Sequence, residues 1–225
     1  MKNILSILIC FFCITKIHAQ ELKGDLSYQY MYAKQWDKAI QTYNFSRPTI
    51  TNKQPLFMHG ASISLSYIFK SPKHLKHGIL LSYSNFYSKA TNLNSSNLLV
   101  LHFMKLGYLM HYENTEKMKG LYIEAIFGAN SSALYRNLNQ SAFIYDDTHS
   151  KAFSIGAEAS LKIGYYIKLK NNFYISPFVC FAYAPYVYSP NTEVVINQTK
   201  SLSSKNWTSI LNTQIGMAFH FKNNQ

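Results

Sequence analysis

Across residues 153–169 the chain alternates without interruption. Phe153, Ile155, Ala157, Ala159, Leu161, Ile163, Tyr165, Ile167 and Leu169 share one face, and Ser154, Gly156, Glu158, Ser160, Lys162, Gly164, Tyr166 and Lys168 share the other. A period of two belongs to a β-strand. Strands of soluble sheets run to about 5–6 residues. A tilted strand crossing a bilayer takes about 9–11 and often projects beyond it. A ribbon this long, apolar on one face only, favours a membrane-spanning barrel wall over a sandwich strand.

The template recurs. Residues 22–32 set Leu22, Gly24, Leu26, Tyr28, Tyr30 and Tyr32 against Lys23, Asp25, Ser27, Gln29 and Met31. Segments 57–69, 79–87, 98–110, 121–129, 173–183 and 207–221 follow it, which makes eight strands. In 57–69, Phe57, Ile63 and Phe69 belong to the outward set. Pro177 cannot donate to a ladder, so a bulge or local break is expected there. The connections alternate in length. Residues 34–56, 88–97, 130–152 and 184–206 are long and polar; 70–78, 111–120 and 170–172 are shorter. Outer-membrane barrels have this asymmetry and an even strand number. The expected fold is therefore all-β: an eight-stranded antiparallel up-and-down transmembrane β-barrel. β-like stretches at 39–45 and 194–199 either extend strands or raise the count to ten.

Alternation alone does not say which face is outside. Glu124, Glu158 and Lys162 lie on the inward parity of their strands, and in 98–110, apolar on both faces, Lys105 suggests that its own face points inward. Four ionisable groups in a dry core would be costly, whereas a polar barrel lumen lets them pair. Glu124, Glu158 and Lys162 are read as a lumen charge cluster. Charged residues make up 14% of the 225-residue chain and aromatic residues 16%, which suits a large apolar exterior with Tyr and Trp girdles at strand ends.

Residues 1–19 read as a secretory signal peptide, with Lys2, an apolar run over 4–14, and Ile17-His18-Ala19 before the cut. That run is too short to span a bilayer as a helix. The mature barrel is then 20–225, located in the outer membrane of the cell envelope. Of Cys10, Cys13 and Cys180, only Cys180 survives cleavage, which excludes an intrachain disulfide. The formal charge of +12 points to anionic company such as lipid phosphates. No dense basic run or groove-reading helix points to nucleic acid.

The leader ending His18-Ala19-Gln20, the eight strands and a last strand closing on Phe219-His220-Phe221 resemble the small outer-membrane β-barrel proteins of Bacteroidota. The aromatic-x-aromatic ending resembles the signal read by barrel-assembly machinery, although the tail Lys222-Asn223-Asn224-Gln225 follows it. The resemblance implies the architecture and that assembly partner. It carries no activity, because the fold hosts many functions.

Motifs for chemistry are few. Asp146-Asp147-Thr148-His149-Ser150 holds acid, base and nucleophile types, but adjacency in sequence does not make a triad. Lipid A deacylases carry a His-x-Ser motif on a lipid-facing strand, and His149-Ser150 lacks that spacing. His74 and His77 stand among lysines with no nearby carboxylate, so a solvated basic turn is expected and not a metal site. No cofactor motif is present. The first long connection offers Trp36, Asp37, Tyr43 and Arg47, residue types that anchor binding surfaces; alternatively, Trp36 and Tyr43 pack it onto the barrel rim. The sequence thus points to a non-catalytic barrel acting in envelope structure, adhesion or surface partner binding. A subunit of an export or surface-assembly complex and a lipid-modifying enzyme are the alternatives. Expected partners are outer-membrane lipids including lipopolysaccharide, the assembly machinery and an envelope protein.

Overall fold

A computed structural model describes residues 19–69, 71, 74–92, 95–113, 120–138, 151–170, 172–187, 192, 195–196 and 207–222. In chain order the elements are β1 (Ala19–Ala33), α1 (Lys34–Phe45), β2 (His59–Phe69), β3 (Leu75–Asn92), β4 (Ser95–Glu113), β5 (Leu121–Leu138), β6 (Lys151–Tyr165), β7 (Ile167–Lys170), β8 (Phe173–Val187) and β9 (Trp207–Lys222).

Antiparallel ladders link β6-β5-β4-β3-β2-β1-β9-β8, and a further ladder from β6 to β8, running from Gly156↔Tyr186 to Gly164↔Phe178, closes the ring. The result is a closed barrel of eight strands; the four-residue β7 pairs with β8 outside the ring. Closure leaves the ring without an edge, the condition under which a sheet can stand in lipid.

The faces are inverted relative to a soluble barrel. One central residue per ring strand (Leu26, Ile63, Leu81, Leu106, Phe127, Leu161, Phe181 and Ile215) is 46–63% exposed. Lys23, His111, Glu124, Lys162 and His220 are at most 2% exposed. An apolar belt around the whole ring far exceeds the isolated patches of soluble monomers. It identifies the outside as the lipid-facing side.

Several local expectations are corrected. Segment 39–45 is not strand but part of α1, and Val195 and Ile196 are helical, so there is no ten-stranded ring. Trp36, Ala39, Ile40 and Tyr43 recur at three- and four-residue steps and are all buried, the stripe of a helix and not of a strand. Phe57 does not face outward; it precedes β2 and lies 1% exposed in a core at the loop end. The 88–97 connection is not long: β3 and β4 pair as far as Asn92↔Ser95. Pro177 sits in an unshifted ladder with Met217. The break falls on the neighbouring strand instead. β6 pairs β8 down to Phe178 and β7 resumes at Ile175, so Tyr166 interrupts the ribbon where Pro177 has no N–H to give.

Both chain termini of the barrel lie at one end, with the β2–β3, β4–β5 and β6–β8 connections. The opposite, loop end carries α1. There Met31, Trp36, Ile40, Tyr43, Phe57, Phe86, Leu101, Tyr186, Ile196 and Ile210 form one apolar core.

Candidate functional site

The lumen is the candidate site, and it is built in tiers. At the terminal end, the inward parity of six strands converges on an ion network. Lys23 of β1 donates to both carboxylate oxygens of Glu124 on β5, across the lumen. Lys162 of β6 donates to Asp25 of β1 and stands 3.5 Å from Glu124. His111 of β4 places Nδ1 2.8 Å from Glu124. Below them, Glu113 accepts from Lys76 of β3 and, at 2.6 Å, from Lys222 of β9. His220 Nδ1 lies 2.5 Å from Glu21. Four lysines therefore balance four carboxylates. Each ion would be expensive to enclose alone, and mutual pairing offsets that cost.

Aromatic rings fill the space between these ions. Tyr166, freed from the ladder by the break, turns inward; its hydroxyl is 3.1 Å from His111 Nε2 and 3.3 Å from Glu21. Its ring lies 4.7 Å from those of Tyr122 and His220. A Cβ at Gly164 would collide with the Tyr122 ring, so glycine there makes room for the tyrosine. Donor atoms of Glu21, His111 and Glu113 lie within 4.8 Å of one another. The Lys222 ammonium, 3.8 Å from Glu21 and 2.6 Å from Glu113, already holds that position, and a metal ion would have to displace it.

The middle tier is smaller. Lys105 pairs with Glu158 at 2.5 Å, and Asn130 donates to the same carboxylate at 3.0 Å. They border a cavity of about 30 Å³ that Gln29, Ser84, Tyr186 and Asn212 also line. That volume admits about two water molecules.

The upper tier is the apolar plug. Trp36 reaches down from α1 to Phe103 of β4 at 5.7 Å, Tyr186 of β8 at 6.4 Å and Phe57 at 6.5 Å. Tyr43 is buried beside it, and the Arg47 guanidinium lies 4.3 Å above the Tyr43 ring. Asp37 is enclosed in the first turn of α1, and burial lifts its carboxyl above the ordinary carboxylate range.

No family model and no curated protein sequence matches this chain. Among solved structures it is similar to Neisserial surface protein A at TM-score 0.47 and 8% identity, over 90% of this chain and 96% of that one. Ail, the attachment invasion locus protein of Yersinia pestis, aligns at TM-score 0.44 and 11% identity, over 90% and 99% of the two chains. A major outer membrane protein from Thermus thermophilus gives 0.48 and 12%, over 89% and 99%. The architecture itself rests on the strand pairings and the inverted faces described above.

The residues singled out in the sequence divide three ways. Trp36, Asp37 and Tyr43 come together in the plug, with Arg47 at its edge. Glu124 and Lys162 meet in the terminal-end network, whereas Glu158 belongs to the middle tier with Lys105. The 146–150 motif and residues 1–18 lie outside the described residues. His74 and His77 are both exposed, and His77 stacks on Tyr108. Sequence reasoning did not assemble Glu21, Lys23, Asp25, His111, Glu113, His220 and Lys222 into a network, although inward parity was the signal available for most of them.

Proposed function

We propose that the chain is a sealed outer-membrane barrel that works through its cell-surface end and not through its lumen. Residues 1–19 direct export and are removed after Ala19. The termini face the periplasm, and α1 with the long connections faces outward. The observation that supports this most is the double seal: an ion network closes one end of the lumen and an apolar plug the other, inside a wall whose exterior is apolar on every strand. An eight-stranded barrel has an interior that side chains can fill, and here a cavity of about 30 Å³ stands between the two seals.

The role is non-catalytic: envelope structure, adhesion or the docking of an envelope partner. Trp36 and Tyr43 serve it by fixing α1 over the mouth, with Asp37 enclosed in the first turn and Arg47 at the rim. The opposite face of α1 presents Lys34, Lys38, Gln41 and Phe45, the last 91% exposed. An aromatic beside lysines favours an acidic partner surface. Lipopolysaccharide and the assembly machinery are the remaining partners of this reading, and the Bacteroidota affinity rests on the leader and the Phe219-His220-Phe221 ending.

Planar-bilayer recording of the refolded protein tests the seal. Brief or absent openings are expected, and a large steady conductance would overturn the reading.

A further inference from the structure

The Lys222 ammonium does not satisfy the groups it stands among. It has three N–H donors to place. It lies 2.6 Å from Glu113 Oε2 but 3.8 Å from Glu21 Oε2, and it otherwise rests over the Tyr166 and Tyr174 rings, 3.8 Å and 5.2 Å from their centroids. Glu21 Oε2 is thereby enclosed with no hydrogen-bond partner, on a side chain that is 0% exposed. His220 Nε2, on the imidazole that faces Glu21 Oε1, is likewise enclosed and unpartnered. Orphaned buried polar atoms are rare enough to require an account.

The groups around that ammonium are of metal-ligating type. His111 Nε2 lies 3.4 Å from Glu113 Oε2, and two ligands held about 2.1 Å from a tetrahedral ion stand about 3.4 Å apart. Glu124, paired with Lys23 and Lys162, is ionised and can only accept. The His111 proton therefore sits on Nδ1, 2.8 Å from Glu124, and Nε2 of the neutral ring keeps its lone pair. Histidine ligands characteristically give their other N–H to a carboxylate in this way. Glu21 completes the set. One of its oxygens lies within 4.8 Å of both other ligand atoms, and Oε2 has no hydrogen bond to lose. Lys222 is also the lysine of the network best placed to leave: its side chain is more exposed than those of Lys23, Lys76 and Lys162.

We propose that Glu21, His111 and Glu113 bind a divalent transition-metal ion of the Zn²⁺ class in exchange for the Lys222 ammonium. One imidazole with two carboxylates suits Zn²⁺, whereas Mg²⁺ and Ca²⁺ favour oxygen ligands alone. The ion joins β1 to β4, which share no ladder, and so tightens the seal at the terminal end. Lys222 turns outward to the rim and acts as a built-in competitor.

The test uses the full mature chain, untagged and refolded in detergent micelles, titrated with zinc chloride against a chromophoric chelator. One ion should bind per chain. Lys222→Met removes the competitor and should tighten binding at least about tenfold, the scale on which groups around a metal ligand act. His111→Gln should weaken it by at least about the same factor. His74→Gln with His77→Gln removes two exposed imidazoles and should change the affinity less than about twofold. Absence of binding by both the wild type and Lys222→Met, a Lys222→Met affinity no higher than that of the wild type, or binding that disappears with His74 and His77 would overturn the site. Unheated gel electrophoresis shows whether each variant has folded, and if His111→Gln has not, the Lys222→Met comparison still decides.

Discussion

The two seals of the lumen are made of opposite materials. The loop end is closed by carbon: Trp36, Ile40, Tyr43 and Phe57 against Phe86, Phe103 and Tyr186. The terminal end is closed by charge: Lys23, Asp25, Glu124 and Lys162, with Glu21, Glu113, His111 and His220 below. The plug is one short segment laid over a mouth, and its energy comes from burial that each side chain contributes separately. The network is spread over six strands, and none of its ions is tolerable without the others. Losing one apolar contact from the plug should therefore be graded, whereas losing one ion from the network strands the rest.

Glu124→Leu should break the network most severely. It leaves Lys23 and Lys162 enclosed without their shared carboxylate, and a cost of about 3–5 kcal/mol is expected in urea unfolding from vesicles. Combining it with Lys23→Met should restore part of that loss, which a plug contact would not do. Trp36→Ala should cost about 3 kcal/mol by the same measurement, yet leave bilayer conductance low because the network still closes the other end. A steady channel in Trp36→Ala would mean that the ions do not seal. Lys placed at Leu161 on the lipid face should cost about 2–3 kcal/mol, while Lys placed at Leu211, nearer the loop end, should cost less.

The smallest effect concerns Asp37. Its folded carboxyl titrates above the ordinary range because burial disfavours the charged form. Protonation therefore favours the docked helix, and the plug gains stability as pH falls through that raised value. Asp37→Asn should be neutral to about 1 kcal/mol stabilising at pH 7 and should flatten the acid response of α1 protection in hydrogen exchange. Increased protection of α1 on raising the pH would contradict this.

Much of the wall was legible because lipid imposes one rule on every strand. The alternation in 22–32, 121–129 and 153–169 placed Lys23, Asp25, Glu124, Glu158 and Lys162 on the enclosed face. Who pairs with whom was not legible, because Lys23 and Glu124 are 101 residues apart and Lys162 and Asp25 are 137 apart. Such partners depend on strand order and shear, which local pattern does not contain. The plug failed differently. Its helical stripe was present at Trp36, Ala39, Ile40 and Tyr43, but 39–45 is also rich in the strand-favouring Ile40, Thr42, Tyr43 and Phe45, and periodicity cannot arbitrate in so short a run. Tyr166 looked like one more inward residue of a continuous ribbon; its departure from the ladder follows from a proline on the neighbouring strand.

The claim beneath all of this is that apolar faces meet acyl chains while charged faces are enclosed. Site-directed spin labelling along 157–163, in a Cys180→Ala background reconstituted in vesicles, tests it most directly. Collision rates with oxygen, which partitions into lipid, should be high at 157, 159, 161 and 163 and low at 158, 160 and 162. Uniform rates along the strand, or high rates at the even positions, would contradict the account.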